Sequence, residues 1–555
     1  MANDKTPTQT PQDESVDEET KAVSVPDSGD SGEGKLKMIV SLVKKCLGVK
    51  DIASMRLSLP ASLLEPIPNL EYWHYLDRPD LLVAINDSDD PFERMLAVVR
   101  FTFSKDLKFI RGKVCKPYNS VLGEHFRSHW DVLPVSYPSD PTQPPIQHLY
   151  LSEAAAKSSY SVLLAPRNTA ALSETASFKS GKSGQSTVSG LSVNKANSTP
   201  GTPGKRSNST PATSPELFET ELDAQMSSLS LGSRNTSQSG DLVEGGNIAP
   251  DRERARVAYL TEQVSHHPPI SAFSAYCPSR QIELTGVDQI SAKVSGTTVR
   301  VMPGSFNKGA FVRIKGGNGA GETYQITHPV ASVNGLLRGS FYVTVSESTI
   351  ITCTGASENG PHYRAIIEYK EESWLGKAHF LCEGVIHTYT PGSREHADWT
   401  KVKHVPRSRV VAVFDGSWKH LIRWKRAGPD IDPEEIEYAT LLDISTLHVI
   451  PKTVRPLERQ LPDESRKLWE NVTAKLLSKE YSEATRHKLA IEQKQRDDAA
   501  ERKRKGQKFI PKYFDSDIDS GIPILTEEGR KALEEELKEE GPYPLEPTPE
   551  GAALT

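Results

Sequence analysis

Apolar positions along the chain change their period three times, and one long stretch has no period at all. From Lys35 to Leu47 apolar residues recur as Leu36, Ile39, Val40, Leu42, Val43 and Leu47, with Lys37, Lys44 and Lys45 on the polar side. This spacing predicts an amphipathic helix ended by Gly48. Pro60, Pro66 and Pro68 then break the chain. Residues 69–103 are predicted to be helical in two pieces, split by the DSDDP turn at 87–91. Pro91 falls in the first turn of the second piece, behind a capping aspartate. From Ala255 to about Trp424 the period drops to two, as in Ile282-Leu284, Val299-Val301 and Phe341-Val343-Val345. Turn clusters such as GGNG at 316–319 and NG at 334–335 separate these short strands. Helical period returns from Asp463 to about Lys505. Helices, a long run of antiparallel strands and helices again make an α+β fold with a barrel or sandwich at its centre. A barrel wide enough for a lipid needs more than about eight strands, and the strand region is long enough for that.

Composition changes this picture at the ends and in the middle. Residues 1–34 are polar and acidic, with nine acids and two bases, and read as a disordered tail. Residues 166–253 are dominated by Ser, Thr, Gly, Asn and Pro and read as a disordered insertion, where Thr199-Pro200 and Ser214-Pro215 resemble proline-directed phosphorylation sites. Residues 516–555 read as an acidic C-terminal tail, leaving 35–515 as one interrupted domain. The net charge of −6 therefore hides a body near +10 between acidic ends, a balance that points to anionic partners such as phospholipid surfaces. No apolar run is long enough to span a bilayer, and the first twenty residues lack the apolar core of a secretory signal. Five scattered cysteines with no CxxC pair fit a reducing compartment, so a cytoplasmic location is expected.

The densest chemistry lies in EQVSHHPP at 262–269. His266 and His267 offer ring nitrogens that can donate to a phosphate, and Pro268 and Pro269 stiffen the turn beyond them. An arbitrary His-His pair is more often two surface histidines, and no third ligand stands at metal spacing. Lys488, Glu492 and Arg496 recur four apart and share one helical face, which taken alone is a solvated salt-bridge ladder.

The string EQVSHHPP resembles the fingerprint of the oxysterol-binding protein-related family at every fixed position. KPYNSVLGEHF at 116–126 is similar to a second family block, with Ser120 where proline is usual. Lys488, Glu492 and Arg496 resemble the family's late basic–acidic–basic helix. Weaker echoes stand at SLPASLLEP (58–66), DESRKLW (463–469) and GSW (416–418). Together they cover about 36–164 and 254–515. The resemblance implies an incomplete antiparallel β-barrel enclosing a lipid tunnel, with residues 35–55 as a lid. It implies that Lys116, Asn119, His266, His267, Lys488, Glu492 and Arg496 meet at the tunnel mouth around an inositol phosphate, with Glu492 orienting a basic neighbour such as Lys116 or Arg496. Leu42, Val43, Leu63, Leu64 and Ile67 are the implied lid and tunnel residues. The implied activity is exchange of sterol, or phosphatidylserine, for phosphatidylinositol 4-phosphate between membranes. It would be carried out by a monomer peripheral to organelle membranes or membrane contact sites. A lipid-responsive sensor or scaffold that moves no cargo would use the same residues.

Rival classes find little support. No residue six after a cysteine is arginine, SGKSG at 180–184 lacks the first glycine of a phosphate loop, and neither HExxH nor GxSxG occurs. Neither catalysis, a cofactor nor a metal is expected. KRKGQK at 503–508 is a short basic run without the setting of a nucleic-acid motif, so it reads as a solvated helix end.

Overall fold

Prolines start the N-terminal helices. Helix α1 (Asn69–Tyr72) follows Pro68, while α2 (Pro79–Val83) and α3 (Pro91–Ser104) each begin on proline, which needs no helical hydrogen bond there. Asp90 caps α3 as expected, its carboxylate accepting from Phe92 N at 2.8 Å. A short α4 (Lys108–Arg111) comes next. The computed structural model describes residues 61–111, 115–140, 142–147 and 254–540, except 296–297, 336–341, 356–359, 373–377, 430 and 433–435, with isolated backbone at 23–24, 41 and 57–58. The expected lid with Leu42 and Val43, the N-terminal tail and the insertion at 166–253 lie outside the described residues, save those isolated positions.

The strands are β1 (His125–Val132), β2 (Ala255–His266), β3 (Pro269–Cys277), β4 (Ile282–Asp288), β5 (Ile290–Ser295), β6 (Thr298–Pro303), β7 (Ala310–Ile314), β8 (Thr323–Ile326), β9 (Val330–Asn334), β10 (Tyr342–Ser346), β11 (Ser348–Thr354), β12 (His362–Tyr369), β13 (Leu381–Tyr389), β14 (Val410–Ser417), β15 (Leu421–Arg426) and β16 (Ala439–Asp443). Twelve form one antiparallel sheet in the order β16-β15-β14-β13-β12-β11-β8-β7-β4-β3-β2-β1, and β10-β9-β6-β5 form a second. Edges β1 and β16 do not pair with each other, so the expected α+β architecture appears with a large sheet that does not close. One face of the large sheet carries Val257, Tyr259, Phe273, Leu284, Val312, Ile351 and Ile367, which pack with Phe92, Met95, Leu96 and Val99 of α3 in the main core.

Helices α5 (Ser465–Leu468), α6 (Glu470–Leu477) and α7 (Tyr481–Lys505) come after the sheet, in the stretch where helical period returns. The expected tail boundary at 515 needs correction. Residues beyond it continue the fold, and α8 (Glu527–Leu537) packs Ala532 and Leu533 against Ala258, Leu260 and Ala272, on the side of the sheet opposite the main core. Acid-rich composition masked this helix because its acids face arginine and histidine side chains across a buried seam. Arg455 Nη2 lies 2.7 Å from Glu536 Oε2, and His129 Nδ1 lies 2.7 Å from Glu536 Oε1. Strand β1 escaped the period for the same reason. Phe126, Trp130 and Val132 enter the main core, while Arg127 and His129 turn to the carboxylates of Glu464, Glu535 and Glu536.

Candidate functional site

The loop from Lys116 to Glu124 is fastened on three sides. Before it, Glu65 N donates to Lys116 O at 3.0 Å, Tyr118 N to Ile67 O at 3.2 Å, and Asn69 Nδ2 to Ser120 Oγ at 3.0 Å. Beneath it, the Tyr118 ring lies 4.9 Å from that of Trp469, and its hydroxyl is 2.9 Å from Thr473 Oγ1. After it, Gly123 N donates to Gln263 O at 2.9 Å and Gln263 N to Glu124 O at 2.8 Å, which ties the loop to β2 just ahead of the histidines. Gly123 turns with φ +81°, a conformation that favours glycine.

Helix α7 lies on the same loop. Ala484 packs in a small apolar cluster with Ala61, Leu64, Tyr118, Trp469 and Val472, and Ala61 N donates to Thr485 Oγ1 at 3.3 Å. One turn on, Lys488 is buried and its Nζ donates to Glu492 Oε1 at 2.5 Å. Lys116 Nζ donates to Asn119 Oδ1 at 2.7 Å and to Pro117 O at 2.9 Å. Desolvation, and then the positive charge of Lys488, push the Lys116 ammonium down to about 8. Its side chain is nevertheless exposed. The ammonium is thus within reach of solvent while the Lys488 charge acts on it.

The structure thus brings together Lys116, Asn119, Lys488 and Glu492. The basic neighbour that Glu492 holds is Lys488. Arg496 stands two turns along α7, exposed, with Nε and Nη2 donating to Gln493 Oε1 at 3.1 and 2.9 Å. His266 ends β2 opposite Pro269, and His267-Pro268, joined by a cis peptide bond, make the turn into β3. The pairing shifts between Gln263 and Ser265, a bulge that re-aims the end of the strand. Because His267 is in the turn rather than the strand, the two rings do not point to opposite faces but stand 4.5 Å apart, edge to face. Leu64 and Ile67 are buried, Leu64 in the cluster beneath the loop, and Leu63 is half-buried.

Among models of protein families, the one described as oxysterol-binding protein matches residues 38–164 and 248–536. The chain belongs to the oxysterol-binding protein family. It is 40% identical over 511 residues to oxysterol-binding protein-like protein 1 of Schizosaccharomyces pombe, an alignment that covers 92% of each chain. It is 28% identical over 294 residues to oxysterol-binding protein homolog 7 of Saccharomyces cerevisiae, covering 52% of this chain and 60% of the other. A crystal structure of the Osh3 ORD in complex with PI(4)P from Saccharomyces cerevisiae aligns with 93% of this chain and 95% of its own, at 15% identity and a TM-score of 0.47.

In this oxysterol-binding protein family member the shared strings also contain residues that hold the site without facing it. Glu124 is fully buried and accepts from Val121 N at 3.0 Å, Ser465 Oγ at 2.7 Å and Trp469 Nε1 at 3.1 Å; burial pushes its carboxyl up to about 7. Glu262, also buried, accepts from Lys512 N and Tyr513 N at 2.8 Å each. DESRKLW is the fastening strip for the first block: Glu464 pairs with Arg127, Ser465 and Trp469 hold Glu124, and Arg466 forks onto Glu71 at 2.9 and 2.6 Å. The sequence signal for these roles was the position of acids and a tryptophan inside the shared strings, where phosphate chemistry has no use for a carboxylate.

No helix among the described residues is long and apolar enough to cross a membrane.

Proposed function

We propose that the chain binds lipids, taking the phosphate-bearing headgroup of phosphatidylinositol 4-phosphate at Lys116, Asn119, His266, His267, Lys488 and Arg496. One observation carries this reading most: a loop fastened on three sides presents the accessible Lys116 and Asn119 beside the helix that carries Lys488. Such a set of groups suits a multiply charged anion, which accepts from ammonium and amide together. Glu492 cannot bind phosphate and keeps its neighbour Lys488 aimed. The histidines, tied to the same loop through Gln263, add donors that gain charge next to a phosphate.

The tail of such a lipid needs an apolar channel. Ile110, Val345, Tyr363, Tyr369 and Phe380 pack on the main core while keeping part of their surface accessible, and we assign the wall of that channel to them. Each buried CH₂ contributes about 0.8 kcal/mol, so a lipid tail of ordinary length is held firmly once water is excluded. A sterol, or phosphatidylserine, competing for that channel gives countercurrent exchange, because occupancy by one lipid lowers the apparent affinity for the other. The test is transport between two vesicle populations by the purified chain. Sterol or phosphatidylserine should move one way as phosphatidylinositol 4-phosphate moves the other. Binding without transfer would leave the sensor reading in its place.

A further inference from the structure

The basic run that sequence reading assigns to a solvated helix end continues into an unusual loop. Residues 502–512, RKRKGQKFIPK, hold six bases and no acid. Bases in the last turn of α7 complement the negative end of the helix. Arg504 and Lys505 also reach Glu501, at 3.8 and 2.7 Å. Those roles account for the helix end but not for the loop beyond it. Gly506 closes α7 with φ +63°, and Gly506 N and Gln507 N donate to Lys503 O and Arg502 O. Past this cap stand exposed Lys508 and Lys512, and between them Ile510 is 82% exposed, the most exposed large apolar side chain among the described residues.

A scattered surface isoleucine needs no explanation. This one sits on a loop built to hold it out. Phe509, before it, is half-buried against Gly123, where an added Cβ would come within 3.3 Å of the ring, and the Arg502 guanidinium lies 5.8 Å from its centroid. Pro511, after it, is buried, and the next two amides are fixed by Glu262. A rigid loop that presents one aliphatic side chain among cations, with no anion in the segment, matches the interface of a negatively charged bilayer: the aliphatic group enters the acyl boundary and the lysines meet headgroups. Phe509 rests on the turn that carries the Lys116 loop into β1, so this surface adjoins the proposed headgroup site.

We propose that Arg502–Lys512 is a docking surface for an anionic lipid bilayer, with Ile510 as the inserted side chain. Co-sedimentation of the full chain with phosphatidylcholine vesicles, with and without phosphatidylglycerol and free of phosphoinositide, tests it. The chain should sediment with the anionic vesicles and be released by salt. Ile510→Asp should weaken that partition roughly tenfold, the equivalent of one aliphatic side chain withdrawn from the acyl boundary. Its thermal midpoint should be unchanged, because the side chain is out of the core. Joint replacement of Lys505, Lys508 and Lys512 by Gln should do the same. His266→Ala with His267→Ala should sediment as wild type, which separates this surface from the headgroup reading. Sedimentation of Ile510→Asp at the wild-type level overturns the proposal. So does loss only in the lysine variant, since that would mark a patch for a soluble polyanion.

Discussion

Lys116 is the residue on which the chemistry turns. Burial and Lys488 lower its pKa to about 8, so at pH 7 it is charged and above pH 8 mostly neutral. If its ammonium grips a phosphate, affinity for phosphatidylinositol 4-phosphate falls as pH rises from 7 to 9, and proton uptake accompanies binding across that window. Binding isotherms at several pH values check this. Lys116→Arg, charged throughout, should flatten the profile, whereas equal slopes in both proteins would remove Lys116 from the contact. At Glu124 burial shifts the group upward instead. Its carboxyl is raised to about 7, above its ordinary value. The stability it contributes is therefore present below the ordinary carboxylate range and lost as pH rises through about 7. Glu124→Gln should remove that slope from thermal unfolding. Glu124→Ala should destabilise by about 2–4 kcal/mol, because it orphans Trp469 Nε1 and Ser465 inside the protein. The two lysines and the histidine pair were singled out through the family strings that contain them, not through residue type, which alone reads as a surface ladder and two surface histidines. The place of Glu124 and Glu262 in those strings signals a structural role, but not which buried donors they accept from, since those lie far away in the chain.

At the level of elements, periodicity revealed whatever has one apolar and one wet face. It found α3 with its aspartate cap, the long strand run and the late helices. It missed β1 and α8, because each buries charged groups against the other and neither shows the usual alternation. Glu536 joins them: it accepts from Arg455 and lies against His129, and although burial pushes its carboxyl up, the bond with His129 and the Arg455 guanidinium hold it below the usual range. Glu536→Ala removes the buried acceptor that Arg455 and His129 share and leaves Arg455 with Glu539 alone, a loss that costs about 2–3 kcal/mol. Chemical denaturation should show a lower midpoint with an unchanged slope. Truncation after residue 515 should be worse still, because it uncovers Ala258, Leu260 and Ala272; a truncated chain as stable as the whole would contradict the packing of α8.

Across the whole molecule, the family and the α+β plan could be read from three short strings and the change of period. The open sheet was implied by the family resemblance as an incomplete barrel; the strand order was not, because it is set by contacts between residues far apart in the chain. The stretch at 166–253 enters between β1 and β2, which pair from His125↔Glu262 to Val132↔Ala255. Strand pairing already brings the two ends of that connection together, so shortening it relieves loop-closure entropy and breaks no register. A chain lacking 166–253 should retain its thermal midpoint and its lipid extraction. Loss of either would make the insertion part of the working body.

The most direct measurement is extraction of phosphatidylinositol 4-phosphate from vesicles by the purified full-length chain, set against His266→Ala with His267→Ala. The account predicts extraction by the wild type and none by the double variant, with sterol or phosphatidylserine uptake preserved in both. Undiminished phosphoinositide extraction by the double variant would contradict it.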